Sequence, residues 1–181
     1  MALRGAARRR SRPSENAGGA VIVRSVTINR PREELYAFWR DFSNLSRFME
    51  NIESVTVQDD KRSHWVVKAP AGQTVEWDSV VVDEQAGRRI AWESAPGADV
   101  KNAGSVEFQD APGGRGTEVH ATIVYHPPMG PLGRVIAKLF QKEPGLQARR
   151  DLRRFKQLME TGEIATTEGA AAAPAARKIK Q

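Results

Sequence analysis

The sequence predicts an α+β domain, a curved antiparallel sheet of seven strands wrapped around one long C-terminal helix. Three observations carry that reading. One strand comes first, two short helical segments follow, and six further strands arrive at hairpin spacing. Along those strands Trp65, Trp77 and Trp92 fall on one side with other apolar residues, while the opposite side is polar. A long amphipathic segment between Pro144 and Gly162 closes the domain. A sheet that grips a single helix leaves space between the two. The chain therefore reads as a container for an apolar ligand.

Each element has its own local reason. Residues 21–28 are dominated by Val and Ile and predict the first strand. Asn29-Arg30-Pro31 ends it. Asn29 or Arg30 is the expected cap of the first helix, with Pro31 in its first turn and Glu33 and Glu34 at the positive end of its dipole. Leu35, Phe38, Trp39 and Phe42 recur at helical spacing, which runs this helix to about Asp41. Ser43-Asn44 restarts a short helix through Phe48 and Met49.

Strands are then expected at 52–58, 63–69, 74–83, 89–94, 102–109 and 117–125, separated by turn-forming clusters such as Asp59-Asp60-Lys61 and Pro70-Ala71-Gly72. Pro127-Pro128 stops the last strand. A short helix is predicted over 133–141. In the final helix Ala148, Leu152, Phe155 and Met159 form the apolar stripe, and Leu158 lies beside it.

Parity defines the inner face as Trp65 and Val67, then Val75, Trp77, Ser79 and Val81, then Ile90 and Trp92. Val106 and Phe108, then Ala121, Ile123 and Tyr125, complete it. The outer face carries His64, Lys68, Glu76, Asp78, Glu93, Glu107, Gln109, His120 and Thr122.

Composition excludes several function classes. The chain has 181 residues and no cysteine, which removes disulfides and thiolate chemistry and fits a cytoplasmic location. No apolar run approaches the roughly 20 residues that span a bilayer. The net charge is +6. Residues 1–19 hold five Arg against one Glu, and residues 20–162 hold 20 basic against 19 acidic side chains. The excess charge lies mostly in the tails. A nucleic-acid binder concentrates charge on its fold, so no nucleic-acid partner is expected. Residues 1–19 and 165–181 read as disordered tails around one domain at 20–164.

Several stretches together carry a family resemblance. They are "VTINRPREELYAFWRDFSNLSRFMENIESV", "HWVVKAPAG", "VEWDSVV", "IAWESAPGADVKNAGSVEF", "GGRGTEVHATIVY" and "DLRRFKQLMETGEI". With the element order they resemble the Bet v 1-like, START-related (SRPBCC) superfamily. Within it the chain is similar to the bacterial polyketide cyclase/dehydrase and coenzyme Q-binding START-domain group. The resemblance covers roughly residues 20–164. It implies a helix-grip fold that holds a hydrophobic ligand between sheet and helix, and it hands over no fixed catalytic residue.

The expected ligand wall on the sheet is Trp65, Trp77, Trp92, Phe108, Ile123 and Tyr125. The last helix adds Leu152, Phe155 and Met159. The same residues equally suit a filled core, and the sequence leaves both readings open. Pro96 and Gly97, with Leu132, Val135, Ile136 and Leu139 of the 133–141 segment, are the expected mouth. With Arg134, Lys138 and Lys142 that segment is basic and amphipathic, which suits a peripheral membrane contact.

Catalysis needs an acid and a base converging on the cavity. Glu76, Asp78, His64 and His120 point outward by parity, which leaves Tyr125 as the inward candidate. His64, His120 and His126 have no metal-ligand spacing, so neither a metal nor another cofactor is expected. Gly113-Gly114-Arg115-Gly116 lies between two strands and is a hairpin turn rather than a phosphate loop. Arg149, Arg150, Arg153, Arg154 and Lys156 make a basic face on the last helix, which suits solvent or an acidic partner. The expected function is binding, sequestration or transfer of a quinone, isoprenoid, lipid or aromatic polyketide. A cyclase or dehydratase and a chaperone or adaptor are the alternatives. The sequence carries no signal for an oligomeric state.

Overall fold

A computed structural model describes residues 20–126, 130–131, 133–134 and 144–165. β1 (Ala20–Ile28) is followed by α1 (Arg32–Arg40) and a 3-10 helix (Phe42–Arg47). Then come β2 (Ile52–Val57), β3 (Arg62–Lys68), β4 (Thr74–Gln85), β5 (Arg89–Ser94), β6 (Lys101–Asp110) and β7 (Thr117–His126). α2 (Pro144–Thr161) is the last described helix. All seven strands form one antiparallel sheet in the order β1-β7-β6-β5-β4-β3-β2. It curls into a half-barrel. From β2 to β7 every pairing is between chain neighbours, and only β1 against β7 brings distant segments together. The expected N-terminal tail, the C-terminal tail beyond residue 165 and the mouth residues Leu132, Val135, Ile136 and Leu139 lie outside the described residues.

The first helix begins differently from the expectation. Pro31 is itself the cap, at φ −60° and ψ 144°, and no side chain caps the helix. Asn29 and Arg30 face the far end of α2 instead. The Asn29 amide donates to Glu160 Oε1 (2.8 Å), and the Arg30 guanidinium donates to the carbonyls of Met159 (2.7 Å) and Glu160 (3.0 Å). A cation at a helix C-terminus meets the negative end of the dipole and the carbonyls left without helical partners. The second helical segment is a 3-10 helix, tightened by Asp41, whose carboxylate accepts from the Ser43 amide (3.1 Å).

Gly116 is needed where this junction meets the β6–β7 turn. Its φ is +95°, and a Cβ there would lie 2.1 Å from the Ile28 carbonyl oxygen. Only glycine lets the two backbones approach so closely. Next to it, buried Thr117 donates its hydroxyl to the Arg30 carbonyl (2.8 Å).

The predicted parity holds through Val81 and then breaks. The β4–β5 register shifts between Val81 and Asp83, and beyond the bulge Glu84 pairs with Ile90. One extra residue flips the alternation. Glu84 therefore sits on the inner face, where Tyr36 and Arg40 of α1 bond it.

The core occupies the end of the half-barrel under α1. Trp39, Phe48, Phe108 and Phe155 are fully buried, joined by Ile28, Leu35, Leu45, Ile90, Val106 and Val119. Phe48 stacks on Phe155 at 4.7 Å between ring centroids, and Trp39 meets Phe155 edge-on at 5.2 Å. Such pairs add specific geometry to plain area burial. On α2 the stripe is Ala148, Leu152, Phe155 and Leu158, with Met159 only partly buried. Arg149, Arg150 and Arg153 are exposed, whereas Arg154 and Lys156 are half-buried.

Candidate functional site

Trp65 on β3 is the centre of an aromatic wall. It stacks on Trp77 of β4 at 6.0 Å and on Trp92 of β5 at 6.4 Å, with interplanar angles of 20° and 22°. Phe42 backs the wall, 6.0 Å from Trp65 and 6.3 Å from Trp92. The Trp65 indole donates to Ser63 Oγ (2.9 Å), which fixes its tilt. Trp92 lies against Gly104 of β6, where a Cβ would be 2.4 Å from the ring. Three tryptophans from three strands thus form one continuous apolar surface.

The expected wall residues divide between two environments. Trp65, Trp92, Phe108, Leu152 and Phe155 belong to the main core, with Trp77 and Met159 packed at its border. Phe108 is 1% exposed and Phe155 0%, so other side chains enclose both. Tyr125 belongs to a smaller cluster with Val75 and Val100 at the other end of the inner face. Trp77 packs against both clusters. Ile123 is half-buried on the inner face, opposite Gly104. Pro96 and Gly97 are exposed in the β5–β6 loop, whose last residue, Val100, is buried beside Tyr125.

A polar band crosses the inner face. Ser63, Ser79 and Ser94 pair across β3, β4 and β5. Ser94 Oγ then donates to the Asn102 carbonyl (3.0 Å) and accepts from the Asn102 amide (2.7 Å). Asn102 stands directly opposite Tyr125 on β7. The signal was present in the sequence, since Ser79 already appeared among the inner residues. Asn102 shares the parity of Val106 and Phe108, at the first residue of its predicted strand.

Burial alone pushes the Tyr125 hydroxyl up to about 12. At neutral pH it keeps its proton and is no base. The outward groups assemble on the other face as expected. His64 Nδ1 is 2.8 Å from Asp78 and Nε2 is 3.3 Å from Glu76. The hydrogen bond that the His64 ring donates to Asp78 is the main cause that raises the His64 pKa. No group of three or more potential ligands positioned for a metal ion occurs among the described residues.

Two further residues escaped the sequence reading. Asp151 is on the edge of the α2 stripe, where burial pushes its carboxyl up to about 6. The Glu50 amide (3.2 Å) and the Gln147 side chain (3.0 Å) donate to it. Arg24 lies on the inner side of β1, opposite Ala121, and donates to the Gly145 carbonyl at 3.0 Å. With Gly145, Leu146 and Arg149 it lines an open depression of about 510 Å³. That depression has a charged rim and contains none of the expected wall residues. Among the described residues no helix is long and apolar enough to cross a membrane.

Residues 20–160 match the model of the family described as "Polyketide cyclase / dehydrase and lipid transport". The chain belongs to this family. A 17.2 kDa protein of Streptomyces lincolnensis is 28% identical over 140 residues, which cover 77% of this chain and 89% of that one. Among solved structures, DR_A0006 of Deinococcus radiodurans is 44% identical, with a TM-score of 0.65. The match covers 80% of this family member and all of that chain. The Zhui aromatase/cyclase of a Streptomyces species shares the fold at 12% identity and a TM-score of 0.61, over 82% of this chain and all of its own.

Proposed function

We propose that the protein binds an apolar small molecule, such as a quinone, isoprenoid, lipid or aromatic polyketide, between the inner face and α2, and sequesters or transfers it. The observation that carries this reading is the stacked wall Trp77–Trp65–Trp92, which ends at a half-buried Trp77 beside a separate apolar cluster. The ligand wall is then Trp77, Ile123 and Tyr125, with Trp65 and Trp92 behind and Leu152 and Met159 from α2. Phe108 and Phe155 form the floor. Pro96 and Gly97 edge the mouth. Burial of ligand surface supplies the affinity. The family description, which names lipid transport, supports the same reading.

Native mass spectrometry of the purified full chain, with solvent extraction of what comes off, tests it. A co-purified apolar species that quenches tryptophan emission on re-addition supports the container. An apo mass, with no quenching by a panel of quinones, isoprenoids and fatty acyl compounds, overturns it.

A cyclase or dehydratase is the second reading, favoured by the family description and by the inward Tyr125. The protonated Tyr125 hydroxyl would act there as a donor. Turnover of an aromatic polyketide substrate that is lost in Tyr125→Phe, with binding retained, would establish it.

A further inference from the structure

Trp77 and Asn102 each bury a polar atom that no described residue bonds. The Trp77 indole Nε1 and the Asn102 Oδ1 are shielded from solvent and have no hydrogen-bond partner among the described residues. A buried polar group without a partner is destabilising, and each one in a folded protein requires a reason. Trp39 Nε1 shares this condition, but it is packed among Phe48, Phe108 and Phe155 in the filled core. Trp77 and Asn102 are placed differently. Trp77 packs on the cluster of Val75, Val100 and Tyr125, and Asn102 stands opposite Tyr125 in the ladder. Both orphan groups therefore border the Val75, Val100 and Tyr125 cluster, on β4 and β6 to either side of β5.

We infer that Trp77 and Asn102 select the polar end of the ligand, and that this end is an uncharged hydroxyl. The indole N–H is a donor only, while the Asn102 amide offers an acceptor oxygen and a donor nitrogen. A hydroxyl satisfies both, accepting from Trp77 and donating to Asn102. A carboxylate has no proton to donate and would arrive charged. The described inner-face residues bordering the pair are Val75, Ser79, Ser94, Val100 and Tyr125, and none is a cation. The two bonds between Ser94 and the Asn102 backbone hold the amide in place. The inference rests on the container reading above and names the ligand chemistry that the container prefers.

Three probes of one size separate the cases: naphthalene, 1-naphthol and 1-naphthoate, titrated calorimetrically into the delipidated full chain. The expected result is that 1-naphthol binds about tenfold more tightly than naphthalene, and more tightly than 1-naphthoate. Trp77→Phe and Asn102→Leu should each remove most of that preference, the ratio of the 1-naphthol to the naphthalene affinity falling toward one. Circular dichroism and the Tm of each apo variant report that it folds. Equal binding of naphthalene and 1-naphthol overturns this inference alone. So does a preference that survives both substitutions, or 1-naphthoate binding most tightly. Failure of all three probes to bind overturns the container and this inference together.

Discussion

The Trp92 ring sits against Gly104 because residue 104 has no side chain. A Cβ on Gly104 would stand 2.4 Å from Trp92 Cζ2 and 2.8 Å from Cε2. The β7 backbone closes the other side, with the Thr122 oxygen 3.1 Å away. Gly104→Ala must therefore lift the indole and disturb its stack with Trp65. We expect a loss of about 1–3 kcal/mol, in the range for overpacking. Urea titration and the near-ultraviolet circular dichroism of the tryptophans check this. An unchanged midpoint and spectrum would show that the ring is not seated on Gly104. Trp92→Leu in the same chain should recover part of the loss, because the clashing ring is gone.

The clasp between Arg30 and the end of α2 gives a second prediction. Arg30→Ala removes two donors from the carbonyls of Met159 and Glu160. The expected cost is about 1–2 kcal/mol, with faster amide exchange concentrated in the last turn of α2. Arg30→Lys should recover only part, since an ammonium lacks the planar fork that spans two acceptors. Uniform exchange along α2 in both variants would contradict the clasp.

Asp151 should make stability fall as pH rises. Its folded pKa is pushed up to about 6 from an ordinary 3.8, chiefly by burial. The folded state thus holds a proton that the unfolded state releases between those values, and stability drops across that window. Above it the ionised carboxylate remains a cost. Asp151→Asn keeps an acceptor for the Glu50 amide and removes the charge. It should stabilise the protein by about 1 kcal/mol at pH 7 and by nothing near pH 3.5. Denaturation at the two pH values checks this, and an equal gain at both would refute it.

His64 should titrate above its ordinary 6.5, because Asp78 and, more weakly, Glu76 favour the imidazolium. The stability this cluster contributes is present below 6.5 and is lost as pH rises through the raised value. Proton NMR of the ring gives the pKa. Asp78→Asn should lower it more than Glu76→Gln, in line with contacts of 2.8 and 3.3 Å.

The apolar inner face was legible from parity because a half-wet sheet must alternate, and Trp65, Trp77 and Trp92 obey that rule through ordinary β-geometry. Glu84 was not legible. Its inward turn depends on the bulge after Val81, and a bulge leaves no periodic trace in a short strand. Arg30 looked like a local cap because its neighbours make a helix start. Its real partners, Met159 and Glu160, lie about 130 residues away. Asp151 had a weak signal, one turn from Ala148 and Phe155 on the edge of the buried stripe.

What the sequence determined by itself was the order of elements, the face each strand presents, the outward placing of His64, Asp78 and Glu76, and the apolar stripe of α2. These follow from bonds and packing within a few residues of one another, so local periodicity encodes them. Only the tertiary structure decided how the inner face divides. Phe108 and Phe155 became enclosed because α1 and the 3-10 helix bring Trp39 and Phe48 onto them. Trp77 and Asn102 kept unpaired polar atoms because no element in the described fold carries a partner to them. Filling and lining use the same residue types, and the difference between them is a matter of which distant side chain arrives.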